Sequence, residues 1–258
     1  MYKFLCLMSL LILFFSSSCS HYYYAPPQGQ LLHISEPQDL KVMGGLGIGK
    51  QGTLGLNGQI AYSPLKHLAL SASYFNIGSA ETQGGQLLEG AIGSYLLKEV
   101  SINDKGITQY ILFDLYGGYG RGKADYIDES GTAQLNFNKF YFQGGIHFKK
   151  KNQAVSFAYR GGALDYRNVI FNGPINNDLA LGVQSINNQD HYFFNEYFFK
   201  LEAGTKKVNF YGGLSFVQIP KSSFRYLRNT MHAGIVVDLH AIIEWSRGRK
   251  QKKMMEVK

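Results

Sequence analysis

The chain has 258 residues, a formal net charge of +8, 30 glycines, 14% aromatic residues and only 17% charged residues. This length suits one large β domain or barrel. A charged fraction below the usual level of about 25%, with so much glycine, is typical of amphipathic strands joined by tight turns. The basic runs at 149–151, 206–207 and 247–253 are interpreted as turns and a solvated tail near anionic lipid head groups. An export signal at the amino terminus argues against a nucleic-acid partner.

Residues 1–18 have the features of a secretory signal peptide. Lys3 is the only early charge, an apolar stretch covers 4–15, and three serines follow at 16–18. A basic start, a short apolar core and small residues at the cleavage site define such a peptide. The apolar stretch is shorter than the ~20 residues that a spanning helix needs, so we predict an exported chain.

Cys19 follows the small residues directly, where bacterial lipoproteins carry the acylated cysteine. Ser16 stands where a typical lipobox has leucine, and ordinary cleavage nearby, leaving a free thiol, is the alternative. The only other cysteine, Cys6, lies in the segment that would be removed, so a disulfide is excluded. We predict lipidation at Cys19. Residues 20–27 read SHYYYAPP and lack the acidic residues expected of a surface-export signal in the lipoproteins that this segment resembles, so the expected place of the amino terminus is the periplasm.

Residues 19–38 are predicted to be the lipidated amino-terminal segment and a linker. After them, apolar and polar residues alternate repeatedly with the period of a β-strand. This pattern predicts ten strands, with eight to twelve possible, in a single antiparallel up-and-down membrane β-barrel over 39–245, followed by a basic tail at 246–258. The predicted strands cover 39–48, 53–62, 67–76, 85–97, 110–119, 139–148, 155–160, 193–202, 208–216 and 231–243. Strands of about 9–11 residues cross a bilayer when tilted.

The connections between these strands alternate in predicted length. Those at 63–66, 149–152 and 205–206 are short, whereas those at 78–84, 121–134, 167–190 and 218–229 are longer. Outer-membrane barrels have short periplasmic turns and longer extracellular loops. The connections at 49–52 and 98–107 break the alternation.

The two faces of the strands differ in chemistry. One face is almost free of charge, and the other carries both signs in near balance: Glu89, Asp114, Lys139, Arg160, Glu196, Lys200, Glu202 and Asp238. Buried charges need partners, which a narrow interior offers. We therefore predict the charges inside and the apolar face toward lipid, with Tyr62, Tyr74, Tyr95 and Tyr119 in interfacial girdles. A soluble barrel of the lipocalin type, with the faces reversed, is the alternative.

The Tyr-rich stretch after Cys19 and the segment NGQIAYSPLKHLALSASYFN at 57–76 resemble uncharacterised outer-membrane β-barrel lipoproteins of Bacteroidota. The resemblance rests on an early hairpin in which Gln59, Ala61, Tyr62, His67 and Tyr74 share the family's spacing. It covers about thirty residues. It implies the location and the fold and brings no activity.

Few residues suggest catalysis. An acyl-hydrolase would need a His–Ser pair near the rim, for which His67 with Ser71 or Ser73 is the nearest candidate. Asp238, His240 and His232 are predicted on one face of the last strand. Asp238 and His240 could orient one another as a dyad, whereas a metal site formed by all three would lack a fourth ligand. We interpret both groups as structural, so we predict no catalytic residue, no metal site and no cofactor.

The predicted function is a lipid-anchored outer-membrane barrel with a structural, binding or minor transport role, and not an enzyme. The expected partners are outer-membrane lipids and the machineries that assemble barrels and sort lipoproteins. The alternatives are an outer-membrane hydrolase acting on lipid or peptide and a soluble periplasmic barrel lipoprotein that binds an apolar ligand. The sequence does not indicate an oligomeric state.

Overall fold

The structure, a computed structural model, describes residues 24, 32–49, 54–78, 83–102, 108–128, 131–173, 183–184, 186, 191–220, 226 and 228–246. Ten strands form one closed sheet in which each strand pairs antiparallel with its neighbours in the chain, and β1 pairs with β10 to close the barrel. The strands are β1 Leu40–Gly49, β2 Leu54–Leu65, β3 Leu68–Gly78, β4 Gln83–Ile102, β5 Thr108–Asp128, β6 Gly131–Lys150, β7 Gln153–Asn172, β8 Tyr192–Gly204, β9 Val208–Gln218 and β10 Asn229–Asp238. The ten-stranded up-and-down barrel predicted from the alternation is confirmed.

The two ends of the barrel differ. At the end where β1 begins and β10 finishes, called the turn end, the connections are 66–67, 103–107, 151–152 and 205–207. At the opposite end, called the loop end, they are 50–53, 79–82, 129–130, 173–191 and 219–228. The predicted long connections at 167–190 and 218–229 are thus close to those observed. The predicted loop at 121–134 is wrong, because β5 and β6 stay paired as far as Asp128 and Gly131.

Strands β5, β6 and β7 project beyond the rest of the barrel at the loop end. The pairing of β7 with β8 stops at Leu164 and Tyr192, whereas β7 stays paired with β6 as far as Asn172. Residues 165–172 therefore form a wall above the loop-end rim, with the β5–β6 hairpin beside them.

The outer face of the barrel is apolar, and the lumen holds the charges. Phe142 and Phe210 are 74% and 66% exposed, whereas Lys139 and Arg160 are fully buried. This is the distribution of a membrane barrel and the reverse of a soluble one. Seven of the eight charges predicted to face inward are buried; the eighth, Asp238, keeps a side chain 21% exposed at the turn end.

Aromatic rings fill the lumen by lying against inward glycines of the neighbouring strand. A Cβ added to Gly118 would stand 2.2 Å from Cζ of Tyr141, its partner across the β5–β6 pair. The same relation joins Gly93 to Tyr116 across the β4–β5 pair. The high glycine content therefore gives large rings room inside a narrow barrel.

Tyr95 corrects one detail of the predicted girdles. Its ring is 4% exposed and its hydroxyl lies 2.9 Å from Oγ of Ser63 inside the lumen. Tyr95 stands six residues after Glu89 on β4, and residues at even spacing on a strand share a face. Tyr62, Tyr74 and Tyr119 are exposed on the outer face, as predicted.

A helical segment at 239–246 follows β10 at the turn end. Asp238 begins it, since its Oδ1 accepts a hydrogen bond of 2.9 Å from the backbone N–H of Ala241, the interaction of a helix N-cap. The predicted extension of the last strand to residue 243 is therefore wrong. Within the described residues, every helix is too short or too polar to cross a membrane.

Candidate functional site in the barrel lumen

Four buried charges form a closed set near the loop end, called the charge quartet: Glu89, Lys139, Arg160 and Glu196. Lys139 Nζ lies 3.0 Å from Glu89 Oε1 and 3.1 Å from Glu196 Oε2, and Arg160 Nη1 lies 3.2 and 3.3 Å from the same two oxygens. All four side chains are fully buried. Two cations therefore face two anions across the lumen, and the quartet is formally neutral.

Neighbouring side chains satisfy the remaining polar atoms of the quartet. Arg160 donates to Oε1 of Gln143 at 3.2 and 2.8 Å, and Ser73 Oγ donates to Glu89 Oε2 at 3.2 Å. The guanidinium of Arg160 also lies 4.2 Å from the centroid of the Tyr141 ring. Buried ion pairs are tolerated when additional hydrogen bonds satisfy the charged groups in this way. The quartet joins β4, β6, β7 and β8 across the lumen.

Tyr24, from the segment that precedes the barrel, reaches the quartet. Its hydroxyl donates to Glu196 Oε1, and its ring packs against Phe137 and Phe194 with centroid distances of 5.9 and 6.1 Å. Lys139 Nζ lies 5.4 Å from the centre of the same ring. Tyr24 is 2% exposed, so part of the amino-terminal segment lies inside the barrel.

A second polar group lies in the lumen near the turn end, around His33. Its Nε2 is 2.6 Å from Ser156 Oγ and its Nδ1 is 3.3 Å from Glu202 Oε2. Burial lowers the pKa of His33 to about 3, so the ring is neutral near pH 7. It then donates through Nδ1 to the Glu202 carboxylate and accepts at Nε2 from the Ser156 hydroxyl. The His147 ring packs against the His33 ring at 4.6 Å.

The order Ser156–His33–Glu202 matches the nucleophile, base and orienting acid of a hydrolase triad. Such a site also needs room for a substrate carbonyl beside the nucleophile and hydrogen-bond donors for its oxyanion. Ser156 is fully buried, and His33 is 5% exposed. Among the described residues, Ser156 is therefore closed off from a substrate, with His33 of the amino-terminal segment against it.

The amino-terminal segment is also held at the point where it enters β1. Lys41 donates to the backbone oxygen of His33 and lies 3.1 Å from Asp39 Oδ2. Ser35 donates through its backbone N–H to the same Asp39 oxygen at 3.0 Å. Leu32 and Ile34 belong to a buried apolar cluster at the turn end that includes Met43. Residues 32–39 therefore close this end of the lumen.

The His–Ser pair considered at His67, and interpreted as structural, does not form. His67 stands in the two-residue turn between β2 and β3 with φ 65°, and its Nδ1 lies 2.8 Å from the backbone oxygen of Tyr95. Among the described residues, Ser71 Oγ has no hydrogen-bond partner, and Ser73 donates to Glu89. Histidine is one of the residues that tolerate a left-handed conformation, so His67 has a role in the turn.

His232, Asp238 and His240, considered together from the sequence, each contact a different partner in the structure. His232 Nε2 lies 2.6 Å from Thr230 Oγ1, Asp238 caps the helix, and His240 pairs with Glu244 at 3.2 Å within that helix. The predicted placement of all three on one face of the last strand is wrong, because the strand ends at Asp238. In the part of the chain that the structure describes, no set of three or more His, Cys, Asp or Glu side chains is arranged to hold a metal ion.

The sequence did not predict two features of the site, the positions of Tyr24 and His33 in the lumen. Both precede the first strand and follow no strand period, so the segment 19–38 was predicted as a linker. The signal that could have found them is composition: 22–24 are three tyrosines and 31–34 read LLHI, unusually apolar for an exposed linker. Cys19, the predicted lipidation site, lies outside the described residues.

No family model and no curated protein matches the chain. A similarity to a solved structure, the β domain of the Bordetella autotransporter BrkA, has 10% sequence identity and a TM-score of 0.24 and covers 78% of this chain and 98% of that one. A similarity this weak supports no conclusion about function. The distribution of side chains between the lumen and the outer face is the feature of the molecule that bears on function.

Proposed function

We propose that this chain is an outer-membrane β-barrel whose lumen is closed by its own side chains and its amino-terminal segment, with a structural or binding role. The observation that carries the proposal is the inverted distribution of residues, apolar outside and charged inside. An aqueous exterior would leave large rings such as those of Phe142 and Phe210 in water. A lipid exterior accounts for them without a protein partner.

Membrane fractionation tests the location. The full chain is expected to stay in the membrane pellet after carbonate extraction and to run as a faster, heat-modifiable band on a gel, since folded membrane barrels resist detergent. Release by carbonate, with no heat-dependent shift, would favour the soluble barrel that binds an apolar ligand.

Closure of the lumen favours a structural or binding role over transport. At the loop end, Tyr24 belongs to a buried apolar cluster together with Val183, Ile186 and Ile219. Below it lies the charge quartet, and the His33 group lies toward the turn end. Barrels of this size are generally filled by side chains, and here a segment of the same chain adds to that filling.

Lipidation of Cys19 remains part of the proposal, because the cysteine follows the predicted signal peptide directly. Cys19→Ala is expected to abolish metabolic labelling with a radioactive fatty acid while the barrel still inserts. Unchanged labelling would exclude the anchor. Outer-membrane lipids and the barrel-assembly and lipoprotein-sorting machineries stay the proposed partners.

A hydrolase is the second candidate function, and the hydrogen-bonded Ser156–His33–Glu202 chain is the observation that favours it. Purified protein would be assayed on lipid A, phospholipid and peptide beside Ser156→Ala. If the barrel has a structural or binding role, we expect no turnover by either protein. Turnover that Ser156→Ala abolishes, with its heat-modifiable band retained, would establish the hydrolase instead.

A further inference from the structure

The described parts of the amino-terminal segment lie at opposite ends of the lumen. His33 contacts Ser156, close to the start of β7, and Glu202, close to the end of β8. Both positions are at the turn end. Tyr24 contacts Phe194 and Glu196, close to the start of β8, which is at the loop end.

A second set of contacts places Tyr24 at the loop end independently. Its ring packs against Phe137 of β6, a residue paired with Tyr166 in the wall that projects above the loop-end rim. Val183 and Ile186, from the connection between β7 and β8, belong to the same buried cluster. Tyr24 therefore lies at the loop end and His33 at the turn end, and the chain enters β1 at Leu40.

The position of Tyr24 limits where Cys19 can be. Cys19 is five positions before Tyr24, and a fully extended chain covers at most ~3.5 Å per position, or about 17 Å. The apolar band of an outer-membrane barrel is about 25 Å tall. A chain that leaves Tyr24 at the loop end is therefore too short to bring Cys19 back to the membrane surface at the turn end.

We propose that the amino-terminal segment is threaded through the barrel, with Cys19 at the loop end and its lipid in the outer leaflet of the outer membrane. This inference rests on the proposed outer-membrane location, in which short turns face the periplasm and long loops face the exterior. The lipid on Cys19 then enters the membrane from the cell surface, at the loop end of the barrel. The periplasmic amino terminus expected from the sequence is replaced in this proposal.

The topology gives the segment a route into the lumen. Residues 32–39 lead directly into β1, and β1 is one of the two strands that close the barrel, through pairs from Lys41–Asp238 to Gly49–Thr230. The segment can lie along the open sheet before β1 and β10 pair, so the lipid need not pass through a finished barrel. This route also needs no acidic export signal after Cys19, in agreement with the sequence SHYYYAPP.

Cysteine accessibility on intact cells tests the proposal. His21→Cys, Gln218→Cys at the loop end and Lys151→Cys in a turn-end turn would each be treated with a membrane-impermeant maleimide before and after permeabilisation. The unchanged chain measures the background from Cys19. We expect His21→Cys and Gln218→Cys to be labelled on intact cells and Lys151→Cys only after permeabilisation.

The outcomes separate the threading from the proposed function. If His21→Cys reacts only after permeabilisation while the other two variants behave as expected, threading is overturned and the outer-membrane barrel stands. If Lys151→Cys reacts on intact cells and Gln218→Cys does not, the assumed orientation fails. If all three react only after permeabilisation, the outer-membrane assignment fails.

A photo-crosslink tests the position of Tyr24 without reference to orientation. A benzoyl-phenylalanine at position 24 is expected to crosslink within the chain to peptides that contain Phe137 or Phe194. The same group at position 159, on the outer face where Tyr159 is exposed, is the control and should give neither crosslink. Crosslinking from position 24 to another protein alone would overturn the threading.

Discussion

At the scale of single residues, close contacts between inward glycines and aromatic rings decide how the lumen is filled. Gly118 illustrates the constraint, because any side chain there meets the Tyr141 ring at 2.2 Å. Tyr141 in turn lies beneath the guanidinium of Arg160. A shift of this ring would therefore disturb the charge quartet as well as the packing.

Gly118→Ala is expected to destabilise the barrel by about 1–3 kcal/mol, the usual cost of overpacking a filled core. Gly58→Ala is the matched control, since a Cβ there would meet nothing within 4 Å. Urea unfolding in detergent, followed through the heat-modifiable band, measures both. Equal midpoints for the two variants would contradict the close packing of glycine against tyrosine.

His33 gives the lumen a predicted pH dependence. The groups that face it are Ser156, His147, Glu202 and Lys200, and burial lowers its pKa from 6.5 to about 3. As the pH falls, the unfolded chain binds the proton first. The stability that neutral His33 contributes is therefore complete above about pH 6.5 and is lost toward pH 3.

His33→Gln removes this titration and keeps a hydrogen-bonding side chain. Between pH 7 and pH 4.5 the parent is expected to lose about 2 kcal/mol more stability than the variant, because each unit of pKa shift corresponds to about 1.4 kcal/mol. Urea midpoints at the two pH values measure the difference. Identical pH slopes would contradict a buried neutral His33.

At the scale of elements, the alternation of side chains was sufficient to predict the number of strands and most of their faces. Seven of the eight charges predicted to face inward are buried in the lumen, because residues at even spacing on a strand share a face. The long strands β5–β7 were harder to predict, since 121–134 carries five charged residues and has the composition of a loop. In the stretch 133–137, Ala133, Leu135 and Phe137 alternate and are buried, but this signal is too short to outweigh the charged residues before it.

Contacts between distant parts of the chain were beyond prediction from the sequence. Tyr24 and Glu196 are 172 positions apart, and no local pattern links them. The helix at 239–246 was missed for a different reason. Its apolar residues continue the strand period of β10, and only the capping contact of Asp238 ends the strand.

A charge on the outer face of β6 is expected to impair assembly of the barrel. Phe142→Arg places a charge inside the apolar band and is expected to cost about 2–4 kcal/mol, which would reduce the amount of assembled barrel. Ile170→Arg is the matched control, because Ile170 is also exposed but lies in the wall above the last pair between β7 and β8.

Quantifying the heat-modifiable band in cell envelopes compares the two arginine variants. Phe142→Leu, which adds no charge, should assemble like the parent. Gln143→Arg is unsuitable as a lumen control, since Gln143 accepts two hydrogen bonds from Arg160. Equal loss in Phe142→Arg and Ile170→Arg would contradict a lipid band that ends below the wall.

At the scale of the whole molecule, the barrel is a closed shell around a layered interior. The layers are an apolar cluster at the loop end with Tyr24, the charge quartet, and the apolar cluster and His33 group toward the turn end. The full chain in planar bilayers is accordingly expected to show no steady conductance above the leak of the lipid. Stable conductance steps at neutral pH would contradict a filled lumen.

Spin labels on the outer face test most directly whether that face contacts lipid. Phe142→Cys and Ile170→Cys would be labelled in a Cys19→Ala background, reconstituted in bilayers and measured by electron paramagnetic resonance with oxygen and a water-soluble nickel complex as relaxing agents. We predict that oxygen relaxes the label at position 142 strongly and the nickel complex hardly at all, and that at position 170 the nickel complex relaxes the label more strongly than oxygen does. Strong relaxation of both labels by the nickel complex would show an aqueous exterior and contradict the membrane barrel.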